Sequence, residues 1–139
     1  MQQISIFLEN REGTLYQTME VLGQAGVRIM AATVADTSEY GILRVIVSSP
    51  EKAMEVLRQN NISANLNEVL AIGCQSLAEA FTEKFKTFSK ASLQIQYMYC
   101  FSVGEKAFLI IRTSDMDAAK KIINENNFET VTNETLLKS

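Results

Sequence analysis

The sequence predicts an α+β chain of two consecutive βαββαβ units, residues 1–68 and 69–139. Three observations predict it. The chain repeats itself once along its length. Within each copy the apolar residues switch between a period of two, which suits a strand, and a helical period. Gly, Asn, Ser, Asp and Pro stand at the joints, where turns and caps need them.

Sliding the sequence by about 66 residues aligns the two halves without a gap. Ile6 then meets Ile72, Ala25 meets Ala91, Ile29 meets Ile95 and Leu43 meets Leu109. Ala53 meets Ala119, and Asn60-Asn61 meets Asn126-Asn127. Identities are few, and agreement in apolar phase along the whole length carries the inference.

In the first copy, Ile4, Ile6 and Leu8 recur at a period of two, as in a strand, with Ser5 and Glu9 at the alternate positions. A helix follows from about Thr14 to Ala25, with Leu15, Met19 and Leu22 on one face. Gly26 supplies a left-handed cap. Val27, Ile29 and Ala31 begin a second strand. After a turn at residues 36–41, Ile42 to Val47 form a third. Ser49 is an N-cap and Pro50 fits the first helical position, where its missing N–H costs nothing. That helix runs to Asn60-Asn61, where asparagine tolerates a left-handed conformation. A short strand at Ser63 to Asn67 closes the unit.

The second copy repeats the order. Val69 to Cys74 is a strand, and the next helix carries Phe81, Phe85 and Phe88. Leu93 to Phe101 and Phe108 to Thr113 are strands, Asp115 caps a helix that runs to Asn126, and Thr130 to Thr132 is the last strand. Right-handed crossovers of this order give a four-stranded antiparallel sheet with two helices on one face, the ferredoxin-like arrangement.

Composition excludes several functions. Nearly half of the residues are apolar (47%) and 21% are charged, as in a globular chain. The net charge of −3 argues against nucleic acid, which needs clustered Lys and Arg to replace phosphate counterions. No apolar run approaches the ~20 residues of a membrane span. The start, MQQISIFLEN, lacks the regions of a signal peptide, so a cytoplasmic location is expected. Cys74 and Cys100 sit in apolar runs with no CxxC pair and read as buried, reduced thiols. There is no histidine, which removes the commonest general base and metal ligand. No catalysis, cofactor or metal is therefore expected.

The junction LENREGTL, residues 8–15, is the candidate site. A strand–turn–helix junction points backbone N–H groups out of the helix start, where the macrodipole is positive. That suits a carboxylate or phosphate. Gly13 permits positive φ and close approach of a ligand, and Asn10 both donates and accepts. A zwitterionic amino acid matches such a surface. The rival reading gives Gly13 a role in the turn alone.

The βαββαβ order, the turn NREGTL at residues 10–15 and the following LGQAGVRI resemble an ACT domain. That family's usual turn is Asp-x-Pro-Gly-x-Leu. Here Asn10 takes the Asp place, Glu12 the Pro place, and Gly13 and Leu15 match directly. The resemblance covers nearly the entire chain as two tandem domains. It implies regulation by a bound small molecule, most often an amino acid, and possible action on a metabolic enzyme. It also implies domains paired side by side in a continuous antiparallel eight-stranded sheet, with helices on one face. Ligand would then sit between the first turn of one domain and the second strand of its neighbour. Carried over, the ligand-binding residues are Asn10, Arg11, Gly13, Thr14 and Leu15, with Gln94, Ile95 and Gln96 from domain two.

The second copy departs from the pattern. Ser76 takes the Asp place, Ala78 the Pro place, and Glu79 stands where the glycine should be. A carboxylate there should block and repel an anionic group, so one working site per chain is expected. The rival to ligand binding is a degenerate pair that serves only as an interaction or oligomerisation module. Strands Ile42 to Val47 and Phe108 to Ile111 are apolar on both faces, as is the side of Met30, Ala32 and Val34 away from the helices. A homodimer covering that face is expected.

Overall fold

The computed structural model describes residues 1–9, 13–36 and 40–137. The chain divides into two compact units, Gln2–Glu68 and Val69–Ser139, with Met1 joined to the second. The first unit runs β1 (Gln2–Leu8), α1 (Thr14–Gln24), β2 (Ile29–Asp36), β3 (Gly41–Val47), α2 (Pro50–Gln59) and β4 (Ala64–Glu68). Its strands form an antiparallel sheet in the order β2-β3-β1-β4, which is the expected ferredoxin-like order. Ile4, Ile6 and Leu8 of β1 and Leu43, Val45 and Val47 of β3 share one face. They pack there with Leu22 of α1 and Ala53 and Leu57 of α2, so both helices cover the same side.

The second unit runs β5 (Leu70–Cys74), α3 (Leu77–Glu79), a π-helical turn (Ala80–Phe85), α4 (Lys86–Lys90), β6 (Ile95–Val103), β7 (Lys106–Thr113), α5 (Met116–Glu125) and α6 (Asn133–Leu137). Its sheet has three strands in the order β5-β7-β6. The expectation of one continuous eight-stranded sheet is therefore corrected: the strands form separate sheets of four and three. The expected last strand at Thr130 to Thr132 is reduced to one bridge, Ile72 to Thr130. Its cause is local. Thr132 Oγ1 accepts from the N–H of Thr135 at 3.1 Å and turns the chain into α6, a capping role that competes with strand pairing.

The internal repeat is exact in register. Leu8 faces Gly41 across β1 and β3, and the counterparts Cys74 and Ala107 face each other across β5 and β7. Both second strands carry a bulge at the same place, between Ile29 and Ala31 and between Ile95 and Tyr97. Helix ends match too. Gly26, Asn61, Ser92 and Asn127 all have φ between 53° and 76°. After each, the next N–H donates five residues back, as in Val27 to Leu22 and Phe128 to Ile123, which is the Schellman arrangement.

On the sides away from the helices, Ile46, Phe108 and Ile110 are already buried in the single chain. Val34 remains 53% exposed. Among the described residues no helix is long and apolar enough to cross a membrane.

Candidate functional site

Helix α1 starts immediately after Gly13, whose φ of 85° lies in the left-handed region. Among the described residues a Cβ built there would meet nothing within 4 Å, so what calls for the glycine is the backbone angle. Gly13 makes no side-chain cap, and the first-turn N–H groups have no intrahelical acceptor. The helix start is held by two hydroxyls. Thr14 Oγ1 donates to the carbonyl of Glu9 at 3.1 Å, tying α1 to the end of β1. Thr18 Oγ1, buried at 2% exposure, donates to the carbonyl of Thr14 at 2.8 Å.

Beside this start lies a cleft of about 380 Å³. Phe7, Leu8 and Glu9 at the end of β1 form one wall, and Thr14, Gln17 and Thr18 of α1 another. Tyr40 and the stretch Asn60, Asn61, Ile62 and Ser63 after α2 complete it. The Phe7 N–H donates to the Ser63 carbonyl at 3.0 Å and closes the base, and the Phe7 and Tyr40 rings meet 6.3 Å apart. The left-handed Asn61 turns the chain after α2 back toward β4. The volume falls in the ~300–1,000 Å³ range of small-molecule sites. Apolar floor and amide and hydroxyl groups in one cleft suit a ligand with a polar head and a small apolar body.

The sequence-predicted residues divide. Thr14 lines the cleft; Gly13 and Leu15 flank it in the chain, and Leu15 is 40% exposed. Asn10 and Arg11 lie outside the described residues. Gln94, Ile95 and Gln96 belong to the second unit at the start of β6. Gln94 and Gln96 are exposed, and Gln96 is the extra residue of the bulge. Of the α1 face Leu15, Met19 and Leu22 that the spacing predicts, Leu22 is buried and Met19 packs against the core, while Leu15 is exposed and Thr18 is buried instead. Sequence reasoning missed Thr18, Gln17, Tyr40 and the wall from Asn60 to Ser63. The available signal was the i, i+4 series Thr14, Thr18, Leu22, which ends in the core.

The counterpart junction in the second unit is built differently. Here the helix begins three residues earlier, at Leu77, and an extra turn replaces the glycine turn. Ser76 Oγ accepts from the Glu79 N–H at 3.1 Å, and Glu79 Oε2 accepts from the Gln75 N–H at 2.7 Å. This is a reciprocal capping box shifted back by one residue. The Gln75 N–H, and then Lys84, hold the Glu79 carboxyl below the usual carboxylate range. Burial, and secondarily Glu79, push the neighbouring Cys74 thiol up to about 11, so it stays protonated and unreactive at neutral pH. Both cysteines are free, Cys74 buried and Cys100 half-buried.

Known proteins agree with this architecture. The family profile described as an ACT domain pair matches residues 1–139. The Bacteroides thetaiotaomicron protein BT0572, of known crystal structure, is 33% identical with a TM-score of 0.89, over 99% of this chain and 96% of that one. The regulatory subunit of aspartate kinase from Thermus thermophilus superposes with a TM-score of 0.63 at 14% identity, over 89% and 90% of the two chains. Its counterpart from Thermus flavus gives 0.59 at 15%, with the same coverage. At those identities the two subunits share the fold. No curated protein matches.

Proposed function

The chain belongs to the ACT domain pair family, a regulatory rather than catalytic domain type, and on that premise we propose that it is an amino-acid-binding regulatory protein. Its ligand sits in the first unit's cleft beside Gly13. The ligand carboxylate takes the start of α1, where the helix dipole favours an anion. The side chain lies toward Leu8, Ile62 and Tyr40. The observation that carries this reading is the conjunction of a helix start at a left-handed glycine with an open cleft beside it. A role in regulating a metabolic enzyme, in keeping with the printed names of the two Thermus proteins as regulatory subunits of aspartate kinase, fits an ACT domain pair.

A thermal-shift screen of the twenty amino acids and the related 2-oxo acids, on wild type and Gly13→Glu, tests it. At a ligand concentration near ~100 times Kd, binding adds about 2.7 kcal/mol of stability. The expected result is a shift in wild type that Gly13→Glu removes. A flat screen would favour the second reading, an interaction module. The exposed Leu15, Tyr16, Leu77 and Phe81 around the two helix starts would then be its contact residues.

A further inference from the structure

We propose that the second unit carries the same ligand site in a permanently filled form, its own Glu79 carboxylate and Lys84 ammonium standing where a zwitterionic ligand binds in the first unit. The inference rests on the reading of the first-unit cleft as a ligand site.

Matching strand registers, bulges and left-handed helix ends fix the sequence correspondence of the two units on either side of this junction. At three counterpart positions around the cleft the second unit has the larger side chain. Gly13 becomes Glu79, Thr18 becomes Lys84 and Ile62 becomes Phe128. These added groups meet one another. Lys84 Nζ lies 3.3 Å from Glu79 Oε1 and 4.4 Å from the centre of the Phe128 ring. Phe128 in turn packs on Phe88, the counterpart of Leu22, with ring centres 5.9 Å apart. The Glu79 and Lys84 side chains are only 22% and 17% exposed, against 60% or more for the pairs Lys106–Glu129 and Lys121–Glu125. A surface pair of the ordinary kind would be solvated like those two.

The π-helical turn explains how the pair forms. An α-helix brings residues three and four apart together. A π turn closes i to i+5, and Glu79 and Lys84 are five apart at its start. The chemistry is that of an amino acid held by a protein. A carboxylate accepts from a backbone N–H at a helix start, and an ammonium sits against that carboxylate and over an aromatic face. The protein supplies both charges from its own chain.

Restoring the first unit's residues should empty the site. The triple variant Glu79→Gly, Lys84→Thr and Phe128→Ile is titrated by calorimetry with each of the twenty amino acids, beside wild type. The expected result is one more equivalent bound per chain than wild type binds. Equal stoichiometry in the two proteins overturns the inference. The count also separates this inference from the functional reading. A wild type that binds none, with a variant that binds one, contradicts the first-unit site and supports the filled one. Should the triple variant fail to fold, Lys84→Ala is heated with propylammonium chloride. A rise in Tm that wild type lacks supports the inference, and no rise overturns it.

Discussion

The two helix starts, at Gly13 and at Ser76, share a strand before them, a register and a helix end, yet satisfy their backbone in opposite ways. The second unit satisfies it internally: Ser76 accepts from the Glu79 N–H, Glu79 accepts from the Gln75 N–H, and Lys84 and Phe128 lie beside them. The first unit starts its helix at a left-handed glycine, which has no side chain to cap with, and leaves a cleft beside it. With glycine at the N-cap, doing without a side-chain cap costs only roughly a few tenths of a kcal/mol, so the open start is cheap for the fold to keep. The lesson is that a helix start at a glycine gains functional meaning when the same fold, in the same chain, shows how it is otherwise closed.

The largest effect that sharpens this comparison lies in the core. Leu22 and Phe88 are counterparts and both fully buried. Phe88→Ala should cost about 3–5 kcal/mol and Leu22→Ala about 2–5 kcal/mol in denaturant melts. Phe88 also supports Phe128, so the larger loss is expected in the second unit. A larger loss from Leu22→Ala would break the account of a tightly filled second unit. Next comes Gly13. With open space around it, Gly13→Ala should cost only the left-handed strain, about 1–2 kcal/mol, and read as a lowered Tm. A loss beyond that range would mean that something crowds the position. Ser76→Ala should cost about 1 kcal/mol through the lost cap. Double-mutant coupling with Glu79→Ala should be positive, because the two side chains serve the same turn.

The smallest effect is in pH. The Glu79 carboxyl has a lowered folded pKa, so its stabilisation is fully present above the unfolded value and fades as pH falls through the folded one. The Tm difference between wild type and Glu79→Gln should therefore shrink as pH is taken from neutrality to below the usual carboxylate range. A difference that stays constant over that range would remove the charge from the explanation.

Much of the fold was legible because local chemistry and tertiary packing agreed. The start of α2 at Pro50 and of α5 after Asp115 followed from capping, and Asp115 Oδ1 does accept from the Ala118 N–H at 3.0 Å. Ser49 shows the limit. It precedes α2 without making a side-chain cap, while its neighbour Ser48 accepts from the Arg28 N–H at 3.1 Å. The last strand failed because Thr132 offered the backbone a local cap. The π turn was hidden because Phe81, Phe85 and Phe88 have α-helical spacing, whereas in the structure Phe81 is 50% exposed and Ala80, five residues before Phe85, is buried instead. The cleft was half legible. Asn61 was read correctly as left-handed, but a backbone preference does not say which cavity the turn will border. Thr18 was passed over because a threonine in a helix reads as polar surface, although here its hydroxyl is satisfied by the Thr14 carbonyl and its methyl is buried.

The most direct test is an amide chemical-shift map recorded while titrating the amino acid that stabilises the protein most. The account predicts perturbations at Thr14, Leu15, Gln17, Thr18 and Asn61, with Gln75 to Lys84 unmoved. Perturbations centred on Gln75 to Lys84, or no saturable perturbation with any amino acid, would contradict it.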